Sequence, residues 1–127
     1  MIASEIILQI HDRSLKEYGG GEGLRDKDLL LAAISRPFQT FDQVELYTTP
    51  MEKAAAIFES LIINHPFIDG NKRTAYASLR LMLNIYRFDI VAFDDEKYQM
   101  TISASAGEIR FNEIKQWIEA HLVSINS

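Results

Sequence analysis

The strongest constraint on this chain is one run, His65-Pro66-Phe67-Ile68-Asp69-Gly70-Asn71-Lys72-Arg73-Thr74-Ala75, set between two stretches of helical period. Upstream, apolar residues recur at Ala54, Ile57, Phe58, Leu61 and Ile62, the spacing of one helix face. Pro66 disfavours the α region for His65, so that helix stops there. Gly70 permits a sharp turn, and the helical period resumes with Ala75, Leu79, Met82, Leu83 and Tyr86. The run is therefore a helix–loop–helix junction with Asn71, Lys72 and Arg73 in the first turn of the second helix. The beginning of the first helix is equally well marked. Thr49 caps, Pro50 takes the first helical position and Glu52 completes a capping box. Ala54, Ala55 and Ala56 allow close approach of neighbours, which makes this helix the expected centre of a bundle.

The residue types at the junction suit phosphate chemistry. The first N–H groups of a helix have no internal partner, and the macrodipole makes that end positive. A phosphate fits there. Lys72 and Arg73 add full charges, and the arginine fork can hold a phosphate bidentately. Asp69 offers a hard oxygen ligand for Mg2+ between phosphate groups. His65 is a candidate general base, because an unperturbed imidazole titrates near neutral pH. Taken singly, each has a plainer reading: a capping histidine, an Asp-Gly turn, a solvated Lys-Arg pair. One site that uses them all accounts for their coincidence.

The rest of the chain reads as scaffold. Residues 4–18 form a first helix ended by Gly19, Gly20 and Gly21; His11 within it is read as a hydrogen-bond partner for a neighbouring loop rather than a catalytic group. Arg25 and Asp26 open a second helix, with Asp26 as N-cap; Arg25 either reaches the junction side or is local scaffolding, the commoner role of an Arg-Asp pair at a helix start, and Pro37 closes the helix. Residues 38–49 are irregular and partly extended, with Val44 and Leu46 alternating. After the junction, Arg87-Phe88-Asp89 marks a break, and Ile90 to Phe93 form an extended or buried connection. Asp94 or Asp95 caps a helix running to about Ser105. A last helix spans about Asn112 to Leu122, with Trp117 in the core. The fold class is all-α, a compact bundle of about six helices, in one domain over residues 1–127.

Composition narrows the function. The net charge is −5 with no strongly basic segment, which argues against direct nucleic-acid binding. No apolar run approaches a membrane span, and the amino terminus does not resemble a secretory signal. There are no cysteines, so thiolate metal sites and disulfides are excluded. A cytoplasmic location is the expectation.

The junction resembles the active-site motif of the Fic/Doc family, H-x-F-x-[D/E]-G-N-G-R-x-x-R in its adenylyl-transferring branch. His65, Phe67, Asp69, Gly70, Asn71 and Arg73 match it. Lys72 stands where that branch has glycine, and Tyr76 where it has its second arginine. The lysine form resembles the Doc (death on curing) branch, and the likeness extends from His11-Asp12 through Tyr18-Gly19-Gly20 to Ala106-Gly107-Glu108. The resemblance implies the Fic fold, with a flap or short hairpin ahead of the motif helix that receives a target segment by main-chain pairing. It implies a type II toxin that moves the γ-phosphoryl group of ATP, with Mg2+, onto a protein hydroxyl. The target it implies is a threonine of elongation factor Tu. His65 would be the base and Asp69 the Mg2+ ligand; Gly70, Asn71, Lys72 and Arg73 would bind the phosphates, and Phe67 would pack inward. The same resemblance implies a Phd-like antitoxin as partner, since the inhibitory pattern [S/T]-x-x-x-E-[G/N] of many Fic enzymes has no match in this sequence. Adenylyl transfer and an inactive binding module are the competing readings.

Overall fold

The computed structural model describes residues 2–125. Among them are six α-helices and two short antiparallel strand pairs. The elements are α1 (Ser4–Tyr18), α2 (Lys27–Ser35), β1 (Thr40–Phe41), β2 (Val44–Glu45), α3 (Pro50–Asn64), α4 (Asn71–Ile85), β3 (Phe88–Ile90), α5 (Asp94–Ser105), α6 (Phe111–Ala120) and β4 (Leu122–Ser124). The helical bundle expected from the sequence is the architecture observed.

Helix α3 is the centre. It starts with the capping box: the Glu52 N–H donates to the Thr49 hydroxyl and the Thr49 N–H to the Glu52 carboxylate, each at 3.2 Å. From Lys53 to Ile62 every residue is buried, and α2, α4, α5 and α6 all pack on it. Ala54, Ala55 and Ala56 are fully enclosed, as close packing requires. Two charges, Lys53 and Glu59, lie in this buried stretch, and both are paired, as burial demands. Glu59 accepts from Arg36 at 2.9 Å and from Arg110 at 3.0 Å, joining the end of α2 to the start of α6. Lys53 donates to Glu45 and to the Tyr47 carbonyl.

The segment before α3 is a hairpin. Thr40 pairs with Glu45 and Phe41 with Val44. Asp42 and Gln43 turn the chain with φ of 52° and 67°, positive at both central residues as a tight two-residue hairpin needs. Phe41, Val44 and Leu46 are left exposed.

The carboxy-terminal part differs from expectation in its boundaries. Helix α5 begins at Asp94, so neither Asp94 nor Asp95 caps it; Phe93 holds the cap position, and its N–H donates to the Glu96 carboxylate at 2.9 Å. The acidic residues lie inside the first turn, where the macrodipole favours them. Helix α6 stops at Ala120 instead of Leu122, because Leu122, Val123 and Ser124 pair with Ile90, Asp89 and Phe88. A partner strand more than thirty residues away overrides the local helical pattern. Trp117 is half-buried and packs against the core from outside it. Among the described residues, no helix is long and apolar enough to cross a membrane.

Candidate active site

The α3–α4 junction is held in place from three directions. His65 ends α3 in the left-handed conformation, φ 46° and ψ 59°, and is exposed. Its carbonyl and that of Asn64 would be orphans of the helix end. Arg25 reaches across and donates to both, at 2.7 Å and 2.6 Å. Next, the Pro66 carbonyl accepts the N–H groups of Arg25 and Asp26, and the Ile68 N–H donates to the Gly23 carbonyl. The loop leading into α2 therefore runs beside the motif like a short strand. Finally, Phe67 is buried and stacks on the His11 ring, centroids 3.8 Å apart and planes within 8°.

Asn71 closes the loop from within. Its side-chain oxygen accepts the Phe67 N–H at 3.0 Å and its amide nitrogen donates to the Phe67 carbonyl at 2.9 Å. The side chain expected to bind phosphate is thus committed to the loop, and its backbone N–H is what remains for an anion. Gly70 precedes it at φ 77° as the N-cap of α4, a conformation that favours glycine. The first intrahelical bond is from the Thr74 N–H to the Gly70 carbonyl. The N–H groups of Asn71, Lys72 and Arg73 therefore make none, and they form a positive helix end.

Asp69 is the most elaborately held group of the loop. Its two carboxylate oxygens accept the N–H groups of Gly21 (3.2 Å) and Gly70 (2.8 Å), and its carbonyl accepts from His11 Nε2 at 2.7 Å. The Gly21 and Gly70 bonds hold the carboxyl below the usual aspartate range, aided by the charge of Arg73. Lys72 and Arg73 are exposed, with the Arg73 guanidinium 4.3 Å from the centre of the Tyr18 ring. Tyr76 is half-buried with its hydroxyl unpartnered, and burial pushes its pKa up to about 12. No set of three or more His, Cys, Asp or Glu side chains suited to a metal ion occurs among the described residues, so a divalent ion here would take Asp69 and complete its shell from a ligand and water.

The sequence profile of the Fic/DOC family matches residues 2–83, which carry α1 to α3, the whole junction and all but the last two residues of α4. The chain belongs to the Fic/Doc family. Protein kinase doc of Escherichia phage P1 is 32% identical over 114 residues, 89% of this chain and 88% of that protein. Toxin Doc of Mycolicibacterium smegmatis is 42% identical over 81 residues, 63% of this chain and 62% of that protein; that match spans less than two thirds of the relative's length.

Within a Fic/Doc frame the structure adds residues that the motif does not contain. Of the two roles open to Arg25, the structure shows the reach to the junction: it bridges the start of α2 to the end of α3. Its signal in the sequence was only an arginine ahead of an N-cap. Gly21 and His11 both hold Asp69, and His11 does so as a loop-bonding residue, the role its place in an apolar helix indicated.

Proposed function

We propose that this protein is a cytoplasmic toxin of a type II toxin–antitoxin system that transfers the γ-phosphoryl group of ATP to a protein hydroxyl. A threonine of elongation factor Tu is the proposed target, and a Phd-like antitoxin the proposed inhibitor. The observation that carries the reading is Lys72, exposed at the second residue of α4, where the adenylyl-transferring branch has glycine. A relative named Toxin Doc and one named Protein kinase doc support it. Tyr76 weighs against adenylyl transfer, since a half-buried neutral phenol stands where that branch places a second arginine.

In this reading the triphosphate lies across the first turn of α4. The backbone N–H groups, Lys72 and Arg73 hold the phosphate oxygens. The target hydroxyl approaches the γ-phosphorus, and His65 takes its proton. The new P–O bond forms as the bond to the β,γ-bridging oxygen breaks, giving a phosphoprotein and ADP. Phosphoryl transfer asks mainly for positioning and charge stabilisation, which a rigid cationic helix start supplies. Asp69 suits Mg2+: it is exposed, is held ionised, and has spent only one N–H bond on each oxygen. Bound there, Mg2+ would neutralise charge between the phosphates. The exposed hairpin β1–β2 would receive the target segment by strand addition.

The test is isotope transfer. Wild type should label elongation factor Tu from γ-labelled and not from α-labelled ATP. Lys72→Gly should lose most of this and gain partial adenylyl transfer, because space for the reversed nucleotide is restored. Glycine in the first turn costs about 0.5–1 kcal/mol, so circular dichroism accompanies the assay. Transfer of the α label by folded wild type overturns the kinase assignment; transfer of neither label favours a binding module.

A further inference from the structure

Tyr18, Gly20 and Gly21 lie outside the motif yet touch both of its charged ends. Tyr18 is 60% exposed, so its place is not explained by core packing. Its ring face meets the Arg73 guanidinium at 4.3 Å. A cation–π contact to the ring face takes up none of the guanidinium N–H donors as hydrogen bonds, so the ring can place the fork without using it. Three residues on, the Gly21 N–H donates to Asp69 Oδ2 at 3.2 Å. Gly20 stands between them at φ 125°, and a Cβ there would lie 2.9 Å from Asp69 Oδ2. The Gly19 N–H caps α1 on the Leu15 carbonyl at 2.7 Å, so the segment is fixed to its helix. His11, one face of that helix, holds the Asp69 carbonyl.

We propose that Tyr18 and Gly21 form a positioning clamp in which the end of α1 holds the Arg73 guanidinium and the Asp69 carboxylate in place for a metal-bound triphosphate. Neither is a catalytic residue; each acts through a motif residue. The inference rests on the nucleotide reading given above and deepens it. It also gives the Tyr18-Gly19-Gly20 sequence a role that the helix–loop–helix junction alone does not.

Calorimetric titration of the full chain with MgATP tests it. Tyr18→Leu should weaken binding by about twofold to fivefold, the range of an exposed cation–π contact, and Tyr18→Phe should restore most of it. In an Arg73→Ala background Tyr18→Leu should change nothing further, because the ring acts only through Arg73. Gly20→Ala should weaken binding of MgATP more than of metal-free ATP, since it displaces the Asp69 carboxylate. Proton NMR gives a nucleotide-free check: the Arg73 side-chain protons should lose their ring-current shift in Tyr18→Leu and keep it in Tyr18→Phe. Equal MgATP affinity for wild type and Tyr18→Leu overturns the clamp, as does an undiminished effect of Tyr18→Leu in the Arg73→Ala background. Wild type that binds no nucleotide sinks the functional reading and the clamp with it. Wild type that binds MgATP but transfers neither label sinks only the transfer reading.

Discussion

Asn71 opens the helix turn proposed to bind phosphate, yet its amide faces back into the loop. Both of its functional atoms bond the backbone of Phe67, a residue almost wholly buried. Asn71→Ala should therefore strand a buried N–H and C=O and cost about 1–3 kcal/mol of stability; in the proposed reading ATP affinity falls too, as the α4 start shifts. Asn71→Asp keeps an acceptor for the Phe67 N–H but sets a carboxylate oxygen against the Phe67 carbonyl, so it should recover only part. Urea denaturation followed by ATP titration checks both; an Asn71→Ala protein as stable as wild type would remove Asn71 from this role. The helix–loop–helix layout of the junction was legible in sequence because its residues are contiguous. What each side chain faces was not. An asparagine amide can serve a phosphate or a carbonyl equally, and only the path of the loop decides. Arg25 shows the same limit: the type of the residue is plain, but its partners lie about forty positions away.

At the scale of elements, local physics carried furthest where it is strongest. The Thr49–Glu52 box, the Asp26 cap and the stop at Pro66 depend on neighbours within a few residues, and all stand where the sequence puts them. From its residues the hairpin was visible only as irregular, partly extended chain, because Asp42-Gln43 lacks the glycine that usually marks such a turn; the family resemblance is what implied a flap or short hairpin. Strand β4 was hidden entirely, since its partner is remote. The hairpin is anchored by Lys53, whose buried ammonium bonds Glu45 and the Tyr47 carbonyl. Methionine fits the helix and the apolar surroundings but cannot make these bonds. In Lys53→Met, amide exchange of residues 40–46 should quicken while that of α3 stays slow. Glu45 is more than half exposed, so losing the pair leaves no buried charge behind. Unchanged hairpin exchange would show that the strand pairing holds without the lysine. In the proposed reading a loosened flap also raises KM for the protein target more than for ATP.

On the carboxy-terminal side of the molecule α5 packs on α6, and β4 pairs with β3. His121 ties the end of α6 to the start of α5. Its Nδ1–H donates to the Trp117 carbonyl at 2.7 Å, and Nε2 meets Glu96 at 3.1 Å across the start of α5. The Trp117 carbonyl and the Glu96 carboxylate favour the imidazolium and hold the His121 pKa above its ordinary value, against the opposing effect of burial. The Phe93 N–H and then His121 hold Glu96 below its own. The signs follow from linkage. The folded chain binds the His121 proton more tightly than the unfolded chain does, so this stabilisation is complete below the ordinary histidine pKa and is lost as pH rises through the raised folded value. Glu96 contributes above the ordinary glutamate pKa and loses its contribution as pH falls through the lowered folded value. The pair thus acts most strongly between the two ordinary values. His121→Gln keeps a side chain able to donate to Trp117 but carries no titrating charge. The urea midpoint should separate wild type from His121→Gln more at about pH 5.5 than at about pH 8.5. A difference that stays constant across that range would assign the His121 contribution to packing against Trp117, whose ring lies 4.2 Å away, rather than to its charge.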